Sequence, residues 1–483
     1  MMAPTSIMSS RLTVVLSCVL VCLSASLGAQ WPQFRGPNGS GIGDGTGYPT
    51  EFSPTTNVAW KTTVPFGQSS PVIAASRLYL TGIEGDELLT IAIDAGSGKA
   101  LWRRALHRER KMEMYKANDP ASPTPAADAR GVVSFFADFG LVAYGTDGQV
   151  LWSHRMGPFQ NFYGMSASPI IADGLVLQLV DQLRGSYLVA LDRETGQVRW
   201  KTDRPSNTIG YATPTIFRPS QGPAEIVTIG TTRLDSYFLE TGAHRWWTPV
   251  ASGGSMGVAL VQGDTLFVST TGSNEPMMPQ WVSVLGQYDK DRDGRISRAE
   301  LLQDKELGEH FGWIDTSDDS FVTEEEWSVA RALGLGAWGS VAMTPGAARG
   351  QLPATAVRWR VQKNVPYIPA PLLYQGVYYL VKTGGIVTTL DPATGTLLKE
   401  GRATGALGQY YASPVAADGR VYVANLEGKI TVLKSGGQWE ILAQNDLQEE
   451  ISATPALANG RLYVRTREAM YCFASPLSSA APR

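Results

Sequence analysis

The chain has 483 residues, 18% of them charged and 9% aromatic, with 51 glycines, 29 prolines and a formal net charge of −3. That length is long for one compact core unless repeated modules share it. The composition suits many strands joined by tight turns and excludes a disordered chain, and no global basic field points to nucleic acid as a partner.

Residues 1–29 read as a signal peptide. Arg11 precedes the apolar run 12–23, and Leu27-Gly28-Ala29 offers a small-residue cleavage site before Gln30. The run is short for a spanning helix. Lipid attachment at Cys18 would leave a still shorter apolar core and is disfavoured. The mature chain then keeps a single cysteine, Cys472, so no internal disulfide forms. A soluble protein of the periplasm or the extracellular space is expected. Residues 30–56 read as an N-terminal extension and 476–483 as a tail.

The organising unit is residues 70–102. After Ser70-Pro71, apolar residues alternate through Val72, Ala74, Leu78 and Leu80 and again through Leu89, Ile91 and Ile93, which predicts strands. A turn rich in glycine follows, and Trp102 closes the unit on another strand. The start recurs at Ser122-Pro123, Ser168-Pro169, Thr213-Pro214, Ala370-Pro371, Ser413-Pro414 and Thr454-Pro455, with a weaker copy at Met256-Gly257-Val258-Ala259. The end recurs at Trp152, Trp200, Trp246 and Glu400. Starts are separated by 52, 46, 45, 43, 114, 43 and 41 residues. Units made only of strands with periods of about 40–50 residues are propeller blades. The eighth copy stops at Cys472-Phe473, and a spare strand lies at 57–63, so that strand is expected to complete the last blade. The predicted fold is all-β: an eight-bladed β-propeller over residues 57–475.

The run Ala92-Ile93-Asp94-Ala95-Gly96-Ser97-Gly98-Lys99-Ala100-Leu101-Trp102 resembles the repeat of the pyrroloquinoline-quinone-like (PQQ-like) β-propeller family. So does the opening Trp31-Pro32-Gln33-Phe34-Arg35-Gly36-Pro37-Asn38-Gly39. The resemblance covers nearly all of the mature chain outside one insertion. It implies kinship with quinoprotein alcohol dehydrogenases, with a lipoprotein that assists outer-membrane protein assembly, and with exported proteins of unknown role. Such a repeat specifies the fold and leaves the function open. The WD type is disfavoured because its signatures are absent.

The long spacing marks an insertion in the fifth blade, taken as residues 277–350. Between Gly286 and Arg331 there are thirteen acidic and six basic residues, and helical periodicity replaces alternation. Asp289-Lys290-Asp291-Arg292-Asp293-Gly294-Arg295-Ile296-Ser297-Arg298-Ala299-Glu300 fits the twelve-residue EF-hand loop. Asp289, Asp291 and Asp293 offer hard oxygen ligands, the Arg295 carbonyl takes position 7, and Glu300 closes the site. Trp281, Val284, Leu285 and Tyr288 give the leading helix an apolar face. A second loop runs from Asp315 to Glu326, with Ser317, Asp319 and the Phe321 carbonyl at the other ligand positions. Ser317 replaces a carboxylate, and Ser320 stands where positive φ is wanted, at a cost of about 1–2 kcal/mol. The loops resemble an EF-hand pair over 280–333, and calcium is the expected ion. Whether the second loop fills is open, and it also reads as a structural partner of the first. Outside the cell an affinity of about 10⁻⁴–10⁻³ M suffices, which makes the module a permanent staple.

Two function classes remain. As an enzyme the chain would be a PQQ-dependent alcohol or sugar dehydrogenase. The resemblance implies an adjacent-cysteine ring and calcium ligands in the propeller for that chemistry; no Cys-Cys pair is present after cleavage, so PQQ is not expected and no catalytic residue is assigned. Gly253-Gly254-Ser255-Met256-Gly257 fits a nucleophile elbow on paper, but strand residues follow it where a helix is required. His107, His154, His244 and His310 have no metal-ligand spacing. As a binding or scaffold module the chain would engage a protein, peptide or glycan at a propeller mouth. Tyr163, Tyr211, Tyr367 and Tyr410, just before repeat starts, are expected there either as binding anchors or as packing between blades.

Overall fold

The computed structural model describes residues 30–475 apart from 113, 162, 206–208, 251–255, 277 and 333–334. The signal-peptide reading of 1–29 and the tail 476–483 lie outside the described residues. Eight sheets, seven of four antiparallel strands and one of five, follow one another along the described chain as the blades of a propeller. Blade one shows the plan: Val72–Ala74 nearest the axis, then Arg77–Glu84, Glu87–Asp94 and, outermost, Ala100–His107. The two middle strands are buried on both faces because each blade is covered by a neighbour on either side. Gly131–Phe136 and Gly140–Gly145, for instance, are buried at every position. The outermost strands retain the alternation of a half-exposed sheet, as in Ala100–His107.

The last blade joins the two ends of the described chain. Val58–Thr63 pairs antiparallel with Ala469–Ala474, Lys61 opposite Tyr471 and Thr62 opposite Met470. Arg465, fully buried in this blade, donates from Nη1 to the Ser69 carbonyl (3.0 Å), Ser69 Oγ (2.7 Å) and the Thr81 carbonyl (2.8 Å) of blade one. Its Nη2 donates to the Pro65 carbonyl at 3.0 Å. Charge-assisted bonds to several acceptors offset the desolvation of a buried guanidinium.

Five of the eight blade junctions are joined at the rim by a tryptophan on a glycine. The outer-strand indoles of Trp60, Trp102, Trp152, Trp200 and Trp359 lie against Gly98, Gly148, Gly196, Gly242 and Gly395 in the turns of the following blades. Trp152 Nε1 donates to the Arg193 carbonyl at 3.0 Å. A Cβ on Gly196, whose φ is +69°, would lie 2.5 Å from the Trp152 ring. Only glycine meets both demands.

Three boundaries differ from the sequence reading. The second inner strand is Ala126–Asp128, so its blade begins at Thr124-Pro125 and not at Ser122-Pro123; two such dipeptides stand in tandem and the first was matched. By the same offset Leu260–Gln262 places the fifth start at Val258. The insertion leaves blade five after Thr265–Thr270 and returns at Gly339–Met343, the blade's third strand, so residues 339–350 belong to the propeller. Gly339–Met343 lacks any repeat signature, which hid it. Gly350–Gln351 pairs in parallel with Trp246 and Trp247 as a fifth strand on blade four.

The inserted residues build their own core from Val284, Tyr288, Ile296, Leu301, Phe311, Ile314, Val322 and Trp327. Two helix–loop–helix stretches are coupled where Ile296 pairs with Val322. No helix among the described residues is long and apolar enough to cross a membrane.

Gly196→Val should lower the unfolding free energy by about 2–4 kcal/mol, through backbone strain and collision with Trp152. Denaturant titration measures it. Deleting residues 57–63 should lower the thermal midpoint sharply, and an unchanged melting curve would show that the strand does not close the ring.

Candidate functional site

In an antiparallel blade the connection between the second and third strands and the one leading to the next blade emerge at the same end. Residues preceding the inner strands therefore converge on one mouth of the channel, and the insertion of blade five rises on that same face.

Around the axis the blade starts form a ring of hydroxyls. Ser70 N donates to Thr124 Oγ1 (2.9 Å), Thr124 N to Ser168 Oγ (3.0 Å) and Ser168 N to Thr213 Oγ1 (3.1 Å). Ala370 N donates to Ser413 Oγ (2.9 Å), Ser413 N to Thr454 Oγ1 (3.0 Å), and Thr454 N back to Ser70 Oγ (3.0 Å). Val258 and Ala370 occupy the positions that lack a hydroxyl. A hydroxyl that accepts one backbone N–H keeps its own hydrogen to donate.

Above this ring lies a cavity of about 320 Å³. Its rim carries Tyr115, Tyr163, Tyr211, Tyr367 and Tyr411, and its lower wall carries Ser70, Thr124, Ser166, Ser168, Thr213, Ser413 and Thr454. Tyr163 meets Tyr115 edge to face at 5.4 Å and Tyr211 at 5.9 Å. Tyr115 and Tyr367 are 41% and 51% exposed. Tyr211 is held from behind: its hydroxyl donates to Asn161 Oδ1 (3.0 Å), and Asn161 Nδ2 donates to the Asp181 carbonyl (3.2 Å). The Asp181 carboxylate pairs with buried Arg204 at 2.8 and 3.0 Å. Burial pushes the Tyr211 phenol well above the ordinary tyrosine range. Tyr410 is not at the mouth; it is buried and donates to the Ala406 carbonyl. Tyr411 takes its place, because neighbouring residues in extended chain face opposite ways.

The other end of the channel is filled by the N-terminal extension. Trp31 and Ile73 exchange backbone bonds of 2.8 and 2.7 Å, and Ala127 N donates to the Pro32 carbonyl at 2.7 Å. Asn38 clasps both backbone groups of Ile216, Arg35 Nη2 donates to the Pro371 carbonyl (2.7 Å), and Ala416 N donates to the Gly41 carbonyl (2.8 Å). These bonds satisfy the free inner edges of blades one, two, four, six and seven. Phe34 reaches the cavity from below. Burial lowers the Arg35 pKa to about 9. The result is a blind funnel.

No charged side chain lines the funnel among the described residues. Pyrroloquinoline quinone is a tricarboxylate. Among the described residues the funnel offers no cation to pair with its carboxylates.

In the insertion the carboxylate oxygens of Asp289, Asp291 and Asp293 lie within 4.8 Å of one another. Glu300 folds back to the same loop, its Oε1 accepting from Lys290 N at 2.7 Å. Gly294 has φ +82°, and its N–H donates to Asp289 Oδ2 at 3.1 Å. The Arg295 side chain pairs with Asp293 at 3.0 Å and covers the Phe321 ring. In the second loop Asp315 accepts from Asp318 N (2.7 Å) and Ser320 N (3.0 Å), and Glu326 Oε1 accepts from Ser317 N (2.8 Å). Ser317 Oγ donates to Asp315 at 3.3 Å, Asp319 Oδ1 accepts from Phe321 N at 2.9 Å, and Ser320 has φ +70°. No group of three clustered His, Cys, Asp or Glu ligand atoms forms there among the described residues.

Sequence reasoning missed Tyr115, Tyr411, the hydroxyl ring and the plug. Of these the plug had a signal in the motif from Trp31 to Gly39, and the hydroxyl ring had one in the Ser/Thr-Pro dipeptides that recur at the blade starts.

An eight-bladed propeller with one blind and one open mouth is thus the class of protein the geometry defines. The profile of the family described as outer membrane protein assembly factor BamB matches residues 50–280 and 347–475, and the chain belongs to that family. The unmatched stretch falls on the insertion. BamB of Yersinia pestis is 22% identical over 435 residues, 86% of this chain and 77% of that protein. The quinoprotein alcohol dehydrogenase PedH of Pseudomonas putida is 29% identical over 160 residues, 30% of this chain and only 24% of that enzyme. Among solved structures, BamB from Moraxella catarrhalis superposes with TM-score 0.52 at 12% identity, covering 86% of this chain and 99% of that one. A europium-containing methanol dehydrogenase gives 0.58 at 10% identity, covering 92% and 98%. Likeness at such identities establishes the fold alone.

Ser70→Ala should leave the Thr454 N–H buried without its acceptor and cost about 1–3 kcal/mol. Chemical denaturation read by tryptophan fluorescence checks this.

Proposed function

We propose that this protein is an exported, calcium-binding propeller acting as a binding or scaffold module, which receives a protein, peptide or glycan partner at its open mouth in the periplasm or outside the cell. The observation that carries the reading is the blind funnel with an exposed tyrosine rim and an uncharged wall. Aromatic residues with a polar tip anchor partners at little entropic cost, whereas charge-based chemistry has no groups to use there. Membership in a family described as an outer membrane protein assembly factor supports a binding role. A photo-crosslinkable residue at position 367 should capture a partner in cell-envelope material, and one at the exposed rim residue Val150 should not. Equal capture from both sites would overturn the reading. Purified protein given pyrroloquinoline quinone and calcium should show neither cofactor absorbance nor dye reduction with alcohols or sugars; both signals together would restore the dehydrogenase reading.

The insertion is read as an EF-hand pair that takes calcium first at Asp289, Asp291, Asp293, the Arg295 carbonyl and Glu300. Asp315, Ser317, Asp319, the Phe321 carbonyl and Glu326 form the weaker site. Calorimetry on the full mature chain should find binding at about 10⁻⁴–10⁻³ M or tighter, weakened at least tenfold by Glu300→Gln. Chelation should loosen residues 280–333, seen through Trp281 and Trp327, with no change in the scattering envelope of the propeller. A global rearrangement would contradict the staple.

A further inference from the structure

The funnel's chemistry narrows its occupant, on the reading that the open mouth is the binding site. Its end is closed by the Trp31 to Phe34 segment, so whatever enters must present a terminus or a doubled-back turn. A peptide terminus brings a charge, and the wall has no charged side chain to meet it among the described residues. A two-stranded peptide turn also needs strands about 4.8 Å apart with side chains on both faces. A cavity of about 320 Å³ is at the small end of ligand sites and holds about one or two sugar rings.

The polar groups point the same way. The ring hydroxyls of Ser70, Thr124, Ser168, Thr213, Ser413 and Thr454 each accept a backbone N–H or lie beside one that does, and a hydroxyl so used still donates. Ser166 Oγ, in the cavity wall, is buried with no hydrogen-bond partner. A ligand that answers this wall needs many groups able both to donate and to accept, and no net charge. It also needs flat apolar faces for the tyrosine rim. A pyranose supplies both: hydroxyls at its edges, and C–H faces that stack on aromatic rings.

We propose that the funnel binds the terminal one or two residues of a neutral glycan. The rim tyrosines stack on the sugar faces, and Ser166 with the hydroxyl ring pairs with the sugar hydroxyls. The insertion of blade five, rising on the same face, flanks the chain as it leaves the mouth.

The test uses the full mature protein in calcium, titrated calorimetrically with oligomers of glucose, mannose, xylose and N-acetylglucosamine. Oligogalacturonate and neutral and charged peptides serve as competing probes. At least one neutral oligosaccharide should bind, with affinity unchanged between about 0.05 and 0.5 M salt because no ion pair is screened. Tyr367→Ala and Tyr115→Ala should each weaken it about tenfold or more, Ser166→Ala several-fold, and Tyr367→Phe should retain most of it. Tyr115 and Tyr367 are exposed enough for their alanine variants to fold, which an unchanged melting temperature verifies. Binding of oligogalacturonate or a peptide with the same tyrosine dependence would overturn the glycan and keep the mouth as the site. No neutral oligosaccharide binding would also overturn it, and the crosslink at position 367 then reports separately on the mouth. Sugar binding indifferent to Tyr115, Tyr367 and Ser166 would place the ligand elsewhere and sink both.

Discussion

Everything else in this molecule depends on how one blade is held against the next. A four-stranded blade has two apolar faces and cannot exist alone, so the stable object is the closed ring. Two concentric sets of contacts hold it. At the rim an indole covers a glycine of the following blade, as Trp152 covers Gly196 and Trp200 covers Gly242. At the axis a backbone N–H reaches a serine or threonine of the following blade. Each contact contributes about 1–3 kcal/mol, which is modest, but the ring must satisfy them together. The joint between the last blade and the first therefore carries the extra guanidinium clamp of Arg465 and the pairing of Val58–Thr63 with Ala469–Ala474.

The junction of blades four and five is one that departs from this scheme. Trp246 is fully buried, and its Nε1 donates to the Glu225 carboxylate at 2.8 Å instead of to a carbonyl of the next blade. Glu225, also buried, accepts from Ser236 at 2.5 Å and pairs with Arg245. Gly350–Gln351 then adds a strand outside Trp246, and Leu352 N donates to the Trp247 carbonyl at 2.8 Å. A buried carboxylate with several donors replaces the indole on glycine.

How much of this the sequence revealed follows from what repeats. Blade number, closure by the spare strand near Trp60 and the position of the insertion were legible because the same spacing constraint acts in every copy. The tandem Ser122-Pro123-Thr124-Pro125 hid the register of blade two, since two dipeptides met one rule and only the offset to Ala126–Asp128 separates them. Gly339–Met343 was invisible because a strand buried on both faces needs no alternation and here is short and small. Of the tyrosines, Tyr163, Tyr211 and Tyr367 reach the cavity, but Tyr410 does not: a single-residue offset decides which side a residue in extended chain faces, and spacing alone could not choose it over Tyr411. The uncharged funnel wall was the least legible feature. It is assembled from all eight blades, and the Ser/Thr-Pro dipeptide that recurs at six blade starts marks the hydroxyls without showing that no charged side chain joins them.

That division has a consequence for how such a scaffold acquires a function. The contacts that hold the ring lie at the rim and at the backbone of the axis, and they place few demands on the side chains above the hydroxyl ring. Those side chains sit on connections between blades, where substitution costs little stability. A quinone site would require cations and carboxylates introduced on several of these connections at once, each desolvated in a blind funnel and costly unless all are paired. A neutral wall of hydroxyls and tyrosines avoids that cost, because the ring hydroxyls already accept backbone N–H groups before any ligand arrives. With the far mouth filled by Trp31, Phe34 and Arg35, the ring gives such a wall depth without giving it a passage, and a deep uncharged recess selects for what can end inside it.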